Sequence, residues 1–354
     1  MKPDLLMGKR NALFRVDASQ KIGLGHLMRC RILATKLVNR GWHCSFLTND
    51  RDGITGKLCS EEELNVINMD SIIGSSDDLK KLIERARELN ASLIITDSYA
   101  FDSKYLQAVA SLGITTVNFD DLTEVAQFSD IIINPSCCIK DYDLPQSKTE
   151  RMYLLGPKYA MIHDKFRKAR EETVHLSETA KNLLITLGGG SIDEQIVEAC
   201  TSAALSLKES FATVIVNEAS EELIAIEKAY GKDRLHILKN TTQMADLMKK
   251  ADIIISAGGS TCWEKCCIGI PGFTIVLSKD QEPVGVLLEK VGASKMLKPS
   301  DVLLKDVLTK QLQELAENKD ARKAMKTKGR ELVDGLGAER VVDIIEETTA
   351  ENRI

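Results

Sequence analysis

The 354-residue chain has no uninterrupted apolar run near the roughly 18 residues that a membrane span needs. A membrane-spanning helix is therefore not expected, and no membrane partner with it. Residues 1–10 mix Lys, Asp, Gly and Arg around a short apolar patch, which has the form of neither a secretory signal nor a transit peptide. A cytoplasmic location is the expectation. Excess positive charge is also missing: 47 Lys and Arg stand against 52 Asp and Glu, for a formal net charge of −5. Such a balance leaves no electrostatic footprint for nucleic acid, so any anionic ligand has to be held by local donors. Nine cysteines are present, but no C-x-x-C has a distant partner; Cys137 and Cys138 are adjacent, as are Cys266 and Cys267, and Cys262 lies four before Cys266. That spacing predicts reduced, mostly buried thiols rather than a disulfide framework or a zinc site. G-x-G-x-x-G is absent, against a dinucleotide oxidoreductase. There is no short internal repeat and no low-complexity tract.

What is present is an alternation of short apolar runs and amphipathic stretches. The length exceeds what one hydrophobic core usually holds, so two domains are expected. Strands are predicted at "ALFRVD" (12–17), "HCSFLT" (43–48), "NVINM" (65–69), "SLIITD" (92–97), "ITTVNF" (114–119) and "DIIIN" (130–134). Helices with apolar residues three and four apart are predicted at 27–40, 77–90 and 104–112. From 140 to 180 the rhythm breaks around Pro145, Pro157, clustered charges and the short "MYLLG". It restarts with "NLLITLGGG" (182–190) and continues through "FATVIV", "RLHILK", "DIIISAGG" and "GFTIVLS". The reading is α/β: two doubly wound, mostly parallel domains, 1–160 and 181–354, joined by a hinge at 161–180. The charged helical text from Lys305 onward either closes the second domain or crosses back to the first. Ligands of such sheets sit beyond the carboxyl ends of the strands, so two facing domains would put a site between them.

Three glycine-rich stretches carry the candidate chemistry. In "IGLGHLMRC" (22–30), Gly23 and Gly25 give the backbone freedom just before a helix whose first N–H groups suit phosphate or sugar oxygens. His26 there feels the positive end of the helix dipole, which favours a neutral ring able to take a proton as general base. The alternative is a histidine that caps the helix or bonds a neighbour. Asp17 and Asp97 end predicted strands, and Asp120 and Asp121 follow another, so all could face His26 to orient it or bind sugar hydroxyls; each could equally cap the helix after its strand. "ITLGGGSID" (185–193) resembles a diphosphate cradle without the Lys of a P-loop. In "SAGGSTCWEKCCIGIPG" (256–272), Gly258 and Gly259 let amides approach a ligand and Ser260 and Thr261 add hydroxyls, while Glu264 is either a ligand residue or the glutamate of a capping box begun by Thr261.

Together, "FRVDASQKIGLGHLMRCRILA", "DSYAFD", "FDD", and "AGGSTCWEKCCIGIP" followed by "DQ" resemble the UDP-2,4-diacetamido-2,4,6-trideoxy-β-L-altropyranose hydrolases of pseudaminic acid biosynthesis and the spore coat polysaccharide proteins related to them. The resemblance runs from about Ala12 to Val342. Its N-terminal motif is specific, and its C-terminal one is shared with GT-B glycosyltransferases such as the enzyme that completes lipid II. It implies a GT-B fold of two facing Rossmann-like domains with a UDP-sugar in the cleft, water attack at C1 with inversion, release of UDP, and neither a metal nor an organic cofactor. It implies His26 and Asp17 as catalytic residues. It further implies Arg15, Gly23, Gly25, Arg29, Asp97, Tyr99, Asp121 and Asn134 at the sugar, and Gly189, Gly190, Ser191, Gly259, Ser260, Thr261, Glu264, Asp280 and Gln281 at UDP. The chain departs from the family at Ile192, where an Asp is usual and Asp193 comes one step late, at Asp280 in place of Asn, and at His163 in place of Arg. A monomer is the working expectation. Transfer of the sugar to an acceptor on the same scaffold, and a non-catalytic nucleotide-sugar binding protein, are the competing functional readings.

Overall fold

The computed structural model describes residues 10–18, 24–49, 53–60, 62, 64–121, 128–136, 151–172, 176–188, 193–239 and 241–351. The chain divides into two compact units, Met1–Met161 with Leu336–Ile354, and Ile162–Gly335.

The first unit holds a seven-stranded sheet built from β1 (Arg10–Val16), β2 (Trp42–Thr48), β3 (Asn65–Asn68), β4 (Leu93–Asp97), β5 (Thr115–Phe119), β6 (Ile131–Asn134) and β7 (Met152–Leu155). The order is β3-β2-β1-β4-β5-β6-β7, every pair parallel. Strand alternation sends Ala12, Phe14 and Val16 to one face, where they pack with Leu27, Cys30, Leu33 and Leu37 of the helix Gly25–Asn39. Leu13 and Ile94 go to the other face and meet Leu82 and Ala86 of the helix Ser76–Glu88 and Leu106 and Val109 of the helix Ser103–Ala110. Both faces are covered, which is why β4 opens on the unbroken run Leu93–Ile95 and β1 carries Ala12–Phe14. The predicted strands up to β6 appear within a residue or two. β7 stands in the stretch expected to be a break; it is a four-residue edge strand with only Leu154 fully buried.

The second unit holds β8 (Asn182–Thr186), β9 (Phe211–Val216), β10 (Leu235–Lys239), β11 (Ile253–Ala257), β12 (Gly272–Ile275) and β13 (Lys295–Leu297). Its order is β10-β9-β8-β11-β12-β13, again all parallel. Leu308, Leu312 and Leu315 of the helix Lys305–Glu317 complete one side of its core.

Two expected boundaries are corrected. Residues 162–180, expected as a hinge, belong to the second unit and include the helix Asp164–Glu171. The last helix, Gly337–Glu351, belongs to the first unit rather than to a 181–354 domain. Its apolar stripe Ala338, Val341, Val342 and Ile345 is buried in the core of the first unit beside the helix Gly25–Asn39, and Arg10–Glu346 (2.5 Å) and Arg40–Asp343 (2.8 Å) pairs fasten its polar side. Gly337 is required by close approach: a Cβ there would lie 2.2 Å from the Ala160 carbonyl oxygen.

The seven described cysteines, Cys30, Cys44, Cys59, Cys200, Cys262, Cys266 and Cys267, are free and buried. Burial pushes Cys44, Cys200 and Cys266 up to about 12. Cys137 and Cys138 lie outside the described residues.

Candidate active site

In the first unit the site is built where the helix Gly25–Asn39 begins, over the carboxyl ends of β4 and β5. That helix starts at Leu24 without a side-chain cap and has no acidic residue in its first turn. The helices at Ser76 and Ser103, by contrast, are capped by the side chains of Ser75 and Asp102. Asp97 ends β4 on the same face as Leu93 and Ile95, the face this helix covers. It is 1% exposed, and His26 Nδ1 lies 2.6 Å from its Oδ1. Arg29, one turn along, donates from Nε to Asp97 Oδ2 and from Nη2 to Oδ1, both at 2.6 Å, and from Nη1 to Asp121 Oδ1 at 2.8 Å. Its guanidinium also lies 4.7 Å from the Phe119 ring centre. Tyr99 meets the His26 ring edge-to-face at 4.7 Å and donates from its hydroxyl to Asp121 at 3.4 Å.

The electrostatics decide the tautomer. Burial alone would raise the Asp97 carboxyl, but Arg29 first and His26 second outweigh it and hold Asp97 well below the usual carboxylate range. An ionised carboxylate only accepts, so the hydrogen in the short contact belongs to Nδ1. A neutral ring then keeps its lone pair on Nε2. The ring is 11% exposed and Tyr99 beside it 53% exposed, whereas Arg29 and Asp97, expected at the sugar, are committed to each other and act as the frame that holds the ring.

Asp17 is a correction. Expected beside His26, it is turned toward β2 instead: Asp17 Oδ1 accepts from Thr48 Oγ1 at 3.1 Å and from the Asn49 N–H at 2.8 Å. Arg15, expected to bind substrate, has the same parity as Leu13 and is wholly buried on the opposite face from the helix Gly25–Asn39. It donates to Asp17 Oδ1 at 2.5 Å and to Asp78 Oδ2 at 2.6 Å, and the Tyr105 hydroxyl completes the cluster on Asp78 at 2.7 Å. Asn134 is likewise fully buried, with its Oδ1 taken by the Ser136 N–H at 2.9 Å. Which terminal carboxylate meets the histidine depends on strand order and side, which the order of strands along the chain does not show. Gly25 has no positive φ, so the torsional reason expected for it does not hold, and a Cβ on it would meet nothing within 4 Å among the described residues. Gly23 lies outside the described residues, as do Gly189, Gly190 and Ser191. Asp193 caps the helix Glu194–Ser206 through the Gln195 N–H at 3.0 Å.

In the second unit the turn after β11 leads into the helix Thr261–Ile268. Its N-cap, Ser260, makes no side-chain cap, and the hydroxyl is exposed. The N–H groups of Cys262, Trp263 and Glu264 are taken by Gly259 and Ser260 carbonyls, and among the described residues those of Gly259, Ser260 and Thr261 have no partner. Amides at a helix start are the kind of donor that can meet an anion. Gln281, in the short turn Lys279–Gln281 with Asp280, accepts from the Gly258 and Leu277 N–H groups through one oxygen, each at 3.1 Å, and so fastens the turn; a Cβ on Gly258 would come within 2.8 Å of its Cβ. Glu264 makes no side-chain hydrogen bond, so the capping-box alternative is not realised, and burial pushes its carboxyl up to about 7. One buried group in this helix has no counterpart among the expected site residues: Lys265, whose signal was a lone cation in the otherwise apolar run "KCCIGI".

Among the described residues, no group of three or more His, Cys, Asp or Glu is arranged to hold a metal ion, and no helix is long and apolar enough to cross a membrane.

Comparison with known proteins then bears on both units. Residues 183–346 match the sequence model of the glycosyltransferase family 28 C-terminal domain. Over 94% of this chain and 96% of the relative, the sequence is 26% identical to the spore coat polysaccharide biosynthesis protein SpsG of Bacillus subtilis. It is 26% identical to the UDP-2,4-diacetamido-2,4,6-trideoxy-β-L-altropyranose hydrolase of Campylobacter jejuni, over 79% of this chain and 96% of that one. The crystal structure of Acinetobacter baumannii MurG superposes with a TM-score of 0.67 at 16% identity, covering 96% of this chain and 99% of the other. The fold is GT-B. Both sheets, and the glycine turn before the helix Thr261–Ile268, thus lie within a scaffold shared with glycosyltransferases.

Proposed function

We propose that the protein hydrolyses a UDP-activated 2,4-diacetamido-2,4,6-trideoxyhexose, on the route to pseudaminic acid, with water attacking C1 and inversion at that carbon. The observation that carries this reading is the His26–Asp97 pair, 2.6 Å between Nδ1 and Oδ1, backed by Arg29. With the Nδ1 hydrogen held by Asp97, Nε2 is the atom that takes a proton from water as its oxygen bonds to C1. The bond from C1 to the diphosphate oxygen breaks, and its electron pair leaves with UDP. Free amides of Gly259, Ser260 and Thr261 are assigned to the diphosphate, and the unpaired Glu264 to the ribose hydroxyls. Tyr99, the most open residue of the histidine cluster, and Asp121, which its hydroxyl contacts, are assigned to the sugar. Asp280 is not required by this reading; an ionised Asp280 would repel a diphosphate. A relative named as this hydrolase over most of the chain supports the substrate class.

Transfer of the sugar to an acceptor is the second reading, favoured by the family 28 match over the second unit. The two part in a single experiment: purified protein is incubated with the UDP-sugar and no acceptor. Free sugar and UDP are expected; intact substrate that is consumed only when an acceptor is added means a transferase.

A further inference from the structure

Lys265 is completely buried, and its ammonium is held by four oxygens: Thr274 Oγ1 at 2.8 Å, the Phe273 carbonyl at 3.0 Å, and Ser256 Oγ and Ser294 Oγ at 3.1 Å each. All four are neutral. Buried cations are ordinarily paired with a carboxylate, because an uncompensated charge in the interior is costly. Neighbouring Glu264 does not serve as that counter-ion: its carboxyl is shifted by burial and by no cation. Ser256 stands in β11 three residues before Gly259, so the ammonium lies within roughly 15 Å of the first free amide of the glycine turn by chain length alone. Stretch 256–261 itself contains no Arg or Lys. Helical side chains also lean toward the N-terminus, which places this charge under the beginning of the helix rather than behind its end.

We infer that Lys265 is a positioning residue that supplies, from beneath the turn, the positive charge complementing an anionic diphosphate seated on the amides of Gly259, Ser260 and Thr261. The inference rests on the nucleotide reading given above and deepens it. The bound anion is the missing counter-ion, and the buried ammonium takes the part that a P-loop lysine plays by direct contact. No bond to the ligand is needed. Lys279, exposed in the neighbouring short turn, is the rival source of charge.

The test compares UDP with uridine, which keeps the base and ribose and lacks the charge. Calorimetric titrations are made on the full chain, on Lys265→Met, and on Lys265→Met with Thr274→Val, the second variant removing a hydroxyl together with the ammonium so that less is left unsatisfied. UDP affinity is expected to fall about tenfold in both variants while uridine affinity stays within about twofold. Unchanged UDP affinity, or an equal loss for both ligands, overturns the inference, the latter making Lys265 a plain structural tether. Failure of the unmodified protein to bind UDP defeats the nucleotide reading itself, which is a different result. If neither variant folds, the unmodified protein decides. Its preference for UDP over uridine should change by less than about threefold between about 0.05 and 0.5 M salt, because a buried charge is weakly screened, whereas loss of the preference puts the charge on the surface.

Discussion

Asp97 and Asp17 both stand at the carboxyl end of a central strand, and in the sequence they are equivalent. The structure separates them: Asp97 carries His26 and Arg29, and Asp17 carries Arg15, Thr48 and the Asn49 amide. Substitutions at the three positions should therefore behave differently. His26→Asn or His26→Leu is expected to leave UDP affinity near normal and to lower turnover by a factor on the order of 10² or more, as loss of a general base does; steady-state kinetics beside a UDP titration checks both halves. Asp97→Asn leaves the Arg29 charge short of a partner and frees the ring to turn, so it should cost about 3–5 kcal/mol in urea denaturation and also lower turnover. Asp17→Asn should destabilise to a similar degree while the surviving folded protein keeps most of its turnover; a selective loss of turnover would restore Asp17 to the catalytic group. Glu264 gives a pH test. Its folded-state carboxyl titrates near 7, above an ordinary value of 4.5, so its contribution to stability is present below about 4.5 and is lost as pH rises through about 7. Glu264→Gln should accordingly melt higher than the parent at pH 8, by an amount on the order of 1–3 kcal/mol, match it near pH 4, and bind UDP more weakly at pH 8. Equal melting at both pH values would contradict the assignment.

Among the elements, the strand-ending carboxylates and the glycine–helix junctions were legible because they depend on short-range pattern. β1 to β6 announced themselves by runs of five or six residues within a regular alternation, whereas β7 lies inside the break around Pro145 and Pro157 and β13 is only Lys295–Leu297, and both were missed. The placement of Gly337–Glu351 was not decidable from its amphipathic text, since a stripe of Ala338, Val341, Val342 and Ile345 shows that a face is buried but not against which sheet. Val341→Asp should therefore lower the stability of the first unit by several kcal/mol and expose protease sites in 10–161 before those in 162–335, as mass spectrometry of limited-digestion fragments would show. Cleavage beginning in the second unit would contradict that assignment. Arg29 belongs at this scale too: it joins the first turn of one helix to the ends of β4 and β5, which no reading of its own neighbours reveals.

For the whole molecule, two parallel sheets of the GT-B type bring two kinds of equipment: a histidine oriented by a buried carboxylate in one unit, and unspent amides with an unpaired glutamate in the other. The net charge of −5 gives no general attraction for a nucleotide, so under the proposed reading affinity arises from local donors such as the amides of that turn. The direct measurement is proton NMR of purified protein with UDP-2,4-diacetamido-2,4,6-trideoxyhexose in the absence of any acceptor, followed at the anomeric signal. The account predicts free sugar that first appears with the anomeric configuration opposite to the substrate's, UDP in equal amount, and almost none of either with His26→Asn. A substrate signal that persists unchanged with the unmodified protein, or undiminished release by the His26 variant, would contradict it.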